Sequence, residues 1–415
     1  MMKIPPFKEI NRPTKDGFWI NKKTKERYGG QYISPLLVPN LKRVEEGFFK
    51  AIKDKKFMKE LNEELLTFIG VNTPIHFSPE LTKLAGGEKK VGRIYLKRTD
   101  LHTNHSHKPV SAYSCCKLAK YLGFKKILTE TGAFQNGRAV ASACSALGLD
   151  LDIYVGANDA KKLAINKDIS ALHGANIIEV HDSTKSLLPA MAAALRAFQS
   201  EPDSMYVVGS CAGPSPYPLM VRTFASVIGR ITKKQFKDLT SKDPSTIFAV
   251  VGGGSNFSAI AYPYYNSKNT KLYGVESAGL GIKTGKHGAT IVGGGKMGIL
   301  LGMQSKVLLD GENIAKSFTA ASGLDFASQG PEVAYMHSIG KIKFLATKDI
   351  DAKKTFMMMA RKIGLICAIE ACYVIHAAIK EIRKIGKPKQ NHLIHLCGSG
   401  EPNVAQMMEF MKKKK

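Results

Sequence analysis

Seven short apolar runs recur along the chain with helix-like stretches between them: Lys126–Thr129, Leu151–Val155, Ile177–Val180, Tyr206–Val208, Ile247–Val251, Leu272–Val275 and Leu393–Leu396. Runs of this length, rich in β-branched residues, have the signature of strands buried on both faces. Alternated with helices, they specify an α/β fold built on mainly parallel sheets. Several runs break into small residues, at Thr131-Gly132-Ala133, Gly209-Ser210, Gly252-Gly253-Gly254 and Gly398-Ser399-Gly400. Ligands of open parallel sheets sit outside the carboxyl ends of the strands, so these loops are where chemistry is expected.

A chain of 415 residues is long enough for two cores, because single cores stop growing near roughly 250 residues. Two lobes are expected, 1–225 and 226–415, with part of 74–106 packing against the second. Hydrophobic residues at 44% and charged ones at 23% argue against disorder. The net charge of +27 invites a nucleic-acid reading, yet only Lys412–Lys415 form a solid basic run and no nucleic-acid-binding signature accompanies them. The seven cysteines, at 115, 116, 144, 211, 367, 372 and 397, are scattered through apolar segments without disulfide or zinc spacing, which fits a reducing cytoplasm. No window is apolar enough to span a membrane, and the first thirty residues carry charges and prolines instead of an apolar signal core.

Four constellations carry the chemistry. Lys108 stands between His107 and Pro109 at the start of a helix expected from Val110 to about Leu122, where Pro109 suits the first turn. The positive end of the helix disfavours an ammonium there and helps release a nucleophilic amine. Gly252, Gly253 and Gly254, with Ser255 and Asn256, offer backbone N–H groups, a hydroxyl and an amide as an anion cradle. The pattern is neither GxxxxGK[ST] nor GxGxxG, which disfavours the usual nucleotide sites. Glu130 precedes a second loop, Thr131, Gly132, Ala133, Phe134, Gln135 and Asn136, able to meet a carboxylate, and a raised pKa would make it an acid or base. Each feature also has a plainer reading: a surface lysine, a tight turn, a helix-capping carboxylate. The histidines at 102, 105 and 107 lie in a polar turn without a partner pair, and no zinc is expected. Cys397 ends the last apolar run. An amine nucleophile beside a phosphate cradle points to pyridoxal phosphate.

Taken in order, these segments resemble the tryptophan synthase β chain, within the fold-type II pyridoxal-phosphate enzymes. The likeness runs from YGGQYISP (28–35) through YLKRTDL (95–101), TETGA (129–133), AGPSPYP (212–218), VVGGGSN (250–256), GVES (274–277) and ASGLDFASQGP (321–331) to CGSG (397–400). The resemblance implies a two-lobed fold, each lobe a twisted, mainly parallel sheet flanked by helices. It implies that Lys108 holds the cofactor covalently, that His107 and residues 252–256 hold its phosphate, and that Glu276, Glu370 and Cys397 lie near its ring. Glu130 would be the acid/base, and Asp325 would engage the hydroxyl of L-serine. Thr131, Gly132, Ala133, Gln135 and Asn136 would receive the substrate carboxylate. Leu187, Met191, Tyr206, Val208 and Phe326 would line a pocket for indole. Backbone carbonyls around Gly252, Phe326 and Ser328 would bind sodium or potassium. The implied reaction joins L-serine and indole to give L-tryptophan and water, in a cytoplasmic homodimer; a related replacement or a serine/threonine deaminase-like elimination is the alternative.

The departures are local. Pro109 and Val110 stand where the family carries threonine and asparagine, Phe134 replaces a glycine, and Asn136 a histidine. The aromatic at 134 is expected to reshape or narrow the substrate pocket. Cys397 replaces a serine, as in serine and threonine dehydratases of the same fold type, and Ser399 an arginine. Leu300 and Leu301 stand where aromatic residues line the family's indole tunnel. Leu188 stands where the family has a lysine that pairs with the α chain, which makes that partnership doubtful.

Overall fold

Strands form at all seven apolar runs in a computed structural model of the chain, which describes residues 3–132, 134–157, 160, 164–181 and 187–412. Four of them make one parallel sheet in the order Asn176–Val180, Asp150–Gly156, Lys126–Thr131 and Ser204–Tyr206. The run expected at Tyr206–Val208 enters the sheet earlier, because Ser204, Met205 and Tyr206 pair with Lys126, Ile127 and Leu128.

The other three runs belong to a six-stranded sheet ordered Ile342–Thr347, Lys271–Ser277, Thr246–Val250, Asn391–Leu396, Arg93–Arg98 and Ile75–Phe77. It is parallel except for its last pair. Its central strand Thr246–Val250 is buried along its whole length, as expected of a parallel sheet covered on both faces. The extended segment ahead of Lys108 is thus hydrogen-bonded to a strand from the far end of the chain. This follows from register, with Arg93 opposite Asn391 and Arg98 opposite Leu396.

Two further regions also acquire structure. Lys296–Leu300 and Met303–Val307 form a hairpin that continues through Arg27–Gly29 to Phe18–Ile20 in an antiparallel sheet. The amphipathic stretch near the start becomes helices Val38–Ala51 and Lys55–Glu64. Leu41, Val44, Phe48, Phe57, Leu61, Leu65 and Ile69 recur mostly three or four residues apart and are all buried, the period of a one-faced helix.

The helix Lys108–Tyr121 is buried on every side except near Lys117, Lys120 and its first residue. It packs against helices Gln135–Leu147 and Tyr217–Ala225, so the backbone of Lys108 is held by core packing. Among the described residues no helix is long and apolar enough to cross a membrane.

One buried ion network ties distant segments together. Arg222, with no exposed surface, donates through Nε to Glu332 at 3.0 Å and through Nη1 to Glu9 at 3.0 Å. Its Nη2 reaches the Asn11 carbonyl at 2.9 Å, and its guanidinium lies 3.9 Å from the centre of the Tyr262 ring. Removing one member leaves a buried charge without compensation. Arg222→Met should therefore destabilise the protein by about 3–5 kcal/mol, read as a lower midpoint in equilibrium urea unfolding.

Candidate active site

The carboxyl ends of both parallel sheets open on one cavity of about 180 Å³. The lysine side of its wall is Ser106, His107 and Lys108. Glu130 and Thr131 end the strand Lys126–Thr131, Gly132, Gln135 and Asn136 follow it, and Gly209, Ser210 and Ala212 follow Ser204–Tyr206. The opposite wall is Val250, Gly252 to Asn256, the loop Ser322 to Phe326, Ala368, Glu370, Cys397 and Gly398, with Pro402 and Asn403 closing it.

Lys108 directs its amine at the Gly209 carbonyl and at Ser255 Oγ, 3.3 Å away. Burial lowers its pKa, only partly opposed by Cys211 and Glu130, which favours the neutral amine. His107 donates through Nδ1 to the Cys397 carbonyl and pairs through Nε2 with Ser255 Oγ, both at 3.2 Å. Burial, with Lys108 beside it, holds the ring well below its ordinary pKa and therefore neutral.

Glu130 is 5% exposed. Its Oε2 accepts a 2.5 Å hydrogen bond from the Tyr206 hydroxyl. Burial pushes its pKa up to about 7, against the lowering effect of Tyr206 and of Lys108. Glu370 is raised by burial too, while accepting from the Gly323 N–H at 3.0 Å. The Cys397 thiol is pushed well above its ordinary pKa by burial and by Glu370, so it is a neutral S–H.

The glycine cradle is sterically required. A Cβ at position 252 would lie 2.7 Å from the Gly323 carbonyl oxygen, and one at 253 would lie 2.1 Å from Ser210 Oγ. Gly254 has φ +98°, a conformation that side-chain-bearing residues rarely adopt. The side-chain oxygens of Asn256, on this wall, and of Ser106, on the lysine side, are buried without a hydrogen-bond partner. Bare main chain and unpaired polar atoms facing one cavity fit a bound polar group better than a packed interior does.

Most residues expected from the sequence meet here: Lys108, Glu130, Asp325, His107, Gly252, Gly253, Gly254, Ser255, Asn256, Glu370, Cys397, Thr131, Gly132, Gln135, Asn136, Met191 and Phe326 all line the cavity. Others do not. Tyr206 stands behind Glu130, and Val208 is buried off the wall. Glu276 faces away, accepting from the Ile291 and Val292 N–H groups at 2.9 Å and from the Gln329 amide at 2.8 Å. Ser328 sits off the cavity, its hydroxyl on the Lys306 carbonyl. Ala133 and the side chains of Leu187 and Leu188 lie outside the described residues. Gly209, Ser210, Pro402 and Asn403 were not among the expected site residues. The break at Gly209-Ser210 signals the first two, whereas nothing in the local pattern signals the last two.

The expectation that Phe134 narrows the pocket is not met. Its backbone is left-handed, φ 54°, and this turns the ring away from the cavity into the hydrophobic core, with no exposed surface. A Cβ on Gly137 would lie 3.3 Å from the Phe134 ring, so the aromatic packs beneath the loop it might have blocked.

Residues 66–398 match a family described as "Pyridoxal-phosphate dependent enzyme". Among solved structures, a fungal L-serine ammonia-lyase from Rhizomucor miehei superposes with a TM-score of 0.64 at 17% identity, over 83% of this chain and 98% of that one. A pyridoxal 5'-phosphate-dependent aspartate racemase superposes with a TM-score of 0.63 at 16% identity, over 82% of this chain and 94% of that one. At these identities the likeness establishes the fold, that of the fold-type II enzymes.

Phe134→Gly should relieve about 1 kcal/mol of left-handed strain but lose the burial of an aromatic ring, a net destabilisation of about 2–4 kcal/mol. Urea unfolding measures that loss.

Proposed function

The chain belongs to the family of pyridoxal-phosphate dependent enzymes, and from that premise we propose that it performs β-replacement on L-serine, joining indole to give L-tryptophan and water. The observation that carries this reading is the placement of a buried carboxyl of raised pKa, Glu130, in the same cavity as the amine of Lys108.

Lys108 would hold the cofactor through its amine, His107 and residues 252–256 would hold the phosphate, and Glu370 and Cys397 would face the ring. Bound there, pyridoxal phosphate supplies an electron sink for the bonds around the amino-acid α-carbon. The remaining work falls to this chain. The Thr131–Asn136 loop receives the substrate carboxylate. The Lys108 amine, kept neutral by burial, removes the α-proton and later returns it. Glu130, protonated below about pH 7, gives a proton to the departing β-hydroxyl, which leaves as water. Asp325, exposed on the loop at the cavity mouth, meets that hydroxyl. Met191 and Phe326 offer apolar wall to indole.

Assembly as a homodimer in the cytoplasm, and a sodium or potassium ion on backbone carbonyls near Gly252, Phe326 and Ser328, are parts of the same proposal. Docking of an α chain is not, given Leu188 at the position of the resembled family's pairing lysine. A second reading, elimination of L-serine to pyruvate and ammonia, is favoured by one observation: a neutral thiol, Cys397, lines the cavity, as the resemblance to serine and threonine dehydratases at that position would have it.

The test is chromatography of products from the purified, cofactor-loaded protein given L-serine with and without indole. Tryptophan supports replacement, pyruvate supports elimination, and neither product overturns both. Lys108→Ala should abolish turnover. Glu130→Gln should lower product formation by about 100-fold or more, the span of general acid catalysis, while α-proton exchange with deuterated water, followed by NMR, continues. Glu130 has a raised pKa, so its protonated form is present below about pH 7 and lost above it. The rate should therefore fall as pH rises through that value, and the Glu130→Gln profile should lack this limb.

A further inference from the structure

Lys108 and Glu130 are linked through the main chain of a third residue. The carbonyl of Gly209 accepts from the Lys108 amine, and the Gly209 N–H acts on the Glu130 carboxyl, favouring its ionised form. One glycine therefore faces both groups that the proposed reaction uses.

What holds Gly209 in place is Asn136. A Cβ built on Gly209 would lie 2.3 Å from Asn136 Cγ and 2.3 Å from its Oδ1, so the amide is packed directly on the glycine backbone. The amide cannot swing aside. Its Nδ2 donates to Thr129 Oγ1 at 2.9 Å and to the Glu130 carbonyl at 3.1 Å. Thr129 Oγ1 spends its own proton on the Val207 carbonyl at 2.6 Å. A carbonyl can only accept, so the NH₂ must face Glu130 and the amide oxygen is turned toward Gly209. That oxygen is buried without a partner, which in a native structure calls for an explanation.

We propose that Asn136 is a positioning residue: tied to the main chain of Glu130 and to Thr129, it presses Gly209 into the place from which its carbonyl orients the Lys108 amine and its N–H faces the Glu130 carboxyl. This inference rests on the reading of Lys108 and Glu130 as the reacting pair. It assigns the asparagine side chain to alignment of that pair, whereas its backbone N–H stays available to the substrate loop.

The experiment compares Asn136→Ala, Gly209→Ala and the double variant. One readout is the pH at which the Glu130 carboxyl titrates in protein without cofactor, followed by NMR of glutamate labelled with carbon-13 and assigned with Glu130→Gln. The second is kcat of the loaded enzyme. A hydrogen bond to the ionised form lowers a carboxyl pKa, so a displaced Gly209 N–H should move the midpoint above the wild-type value. Asn136→Ala and Gly209→Ala should each shift it upward and lower kcat by about 10- to 100-fold, the cost of misplacing a reacting group. In the double variant the new methyl fills the space the amide leaves, and both midpoint and kcat should return most of the way to wild type. An Asn136→Ala midpoint and kcat equal to wild type would overturn the inference, as would a double variant no better than Gly209→Ala. Should Gly209→Ala fail to fold, Asn136→Ala decides by the same two readouts. If Glu130→Gln leaves the alkaline fall in rate intact, the reading of Glu130 itself fails; if it removes that fall while Asn136→Ala shifts nothing, only the role of Asn136 fails.

Discussion

Burial acts in opposite directions on the two groups at the centre of this molecule. Withdrawn from water, the Lys108 amine loses its proton more easily and the Glu130 carboxyl keeps its proton longer. Both shifts move away from an ion pair and toward a neutral amine facing a protonated acid. That state is useful for chemistry and costly for stability, because it requires polar and titratable groups withdrawn from water around one cavity. The rest of the fold supplies it. Two parallel sheets present their carboxyl ends to one space, helix Lys108–Tyr121 is fixed inside the core, and three glycines bring bare main chain to the opposite wall.

Much of this was legible in the chain. The apolar runs are strands because parallel sheets buried on both faces need continuous β-branched segments, and the loops that follow them line the cavity. Lys108, Glu130 and the cradle at 252–254 could be picked out because each stands at the break after an apolar run or at a helix start, and because together they suit one chemistry that their separate plain readings do not explain. Less legible were pairings set by distant contacts. Nothing local in Ile75–Phe77 or Ile342–Thr347 announces that they edge the larger sheet, and Pro402 and Asn403 reach the cavity only through the turn after the last strand. The hairpin Lys296–Val307 was hidden by its glycines and by a polar residue, Ser305, at one of the three inward positions of Met303–Val307.

Phe134 shows where residue type alone misleads. A bulky side chain in a substrate loop suggests obstruction, yet a left-handed backbone redirects it into the core, and the loop gains an anchor. Asn136 is the reverse case: a residue with an ordinary expected role, receiving a carboxylate, has its side-chain NH₂ committed to the main chain around Glu130. Tyr206 likewise stands behind the acid it donates to and off the cavity wall. In each case backbone conformation and hydrogen-bond direction decide the role.

The central claim is that Glu130 is a protonated acid near neutrality because it is buried. The most direct measurement is an infrared difference titration of the carboxyl C=O band, wild type against Glu130→Gln. A band lost in the variant and titrating near pH 7 is the expected result. A Glu130 band already gone by pH 5.5, titrating close to the ordinary value of 4.5, would contradict the account.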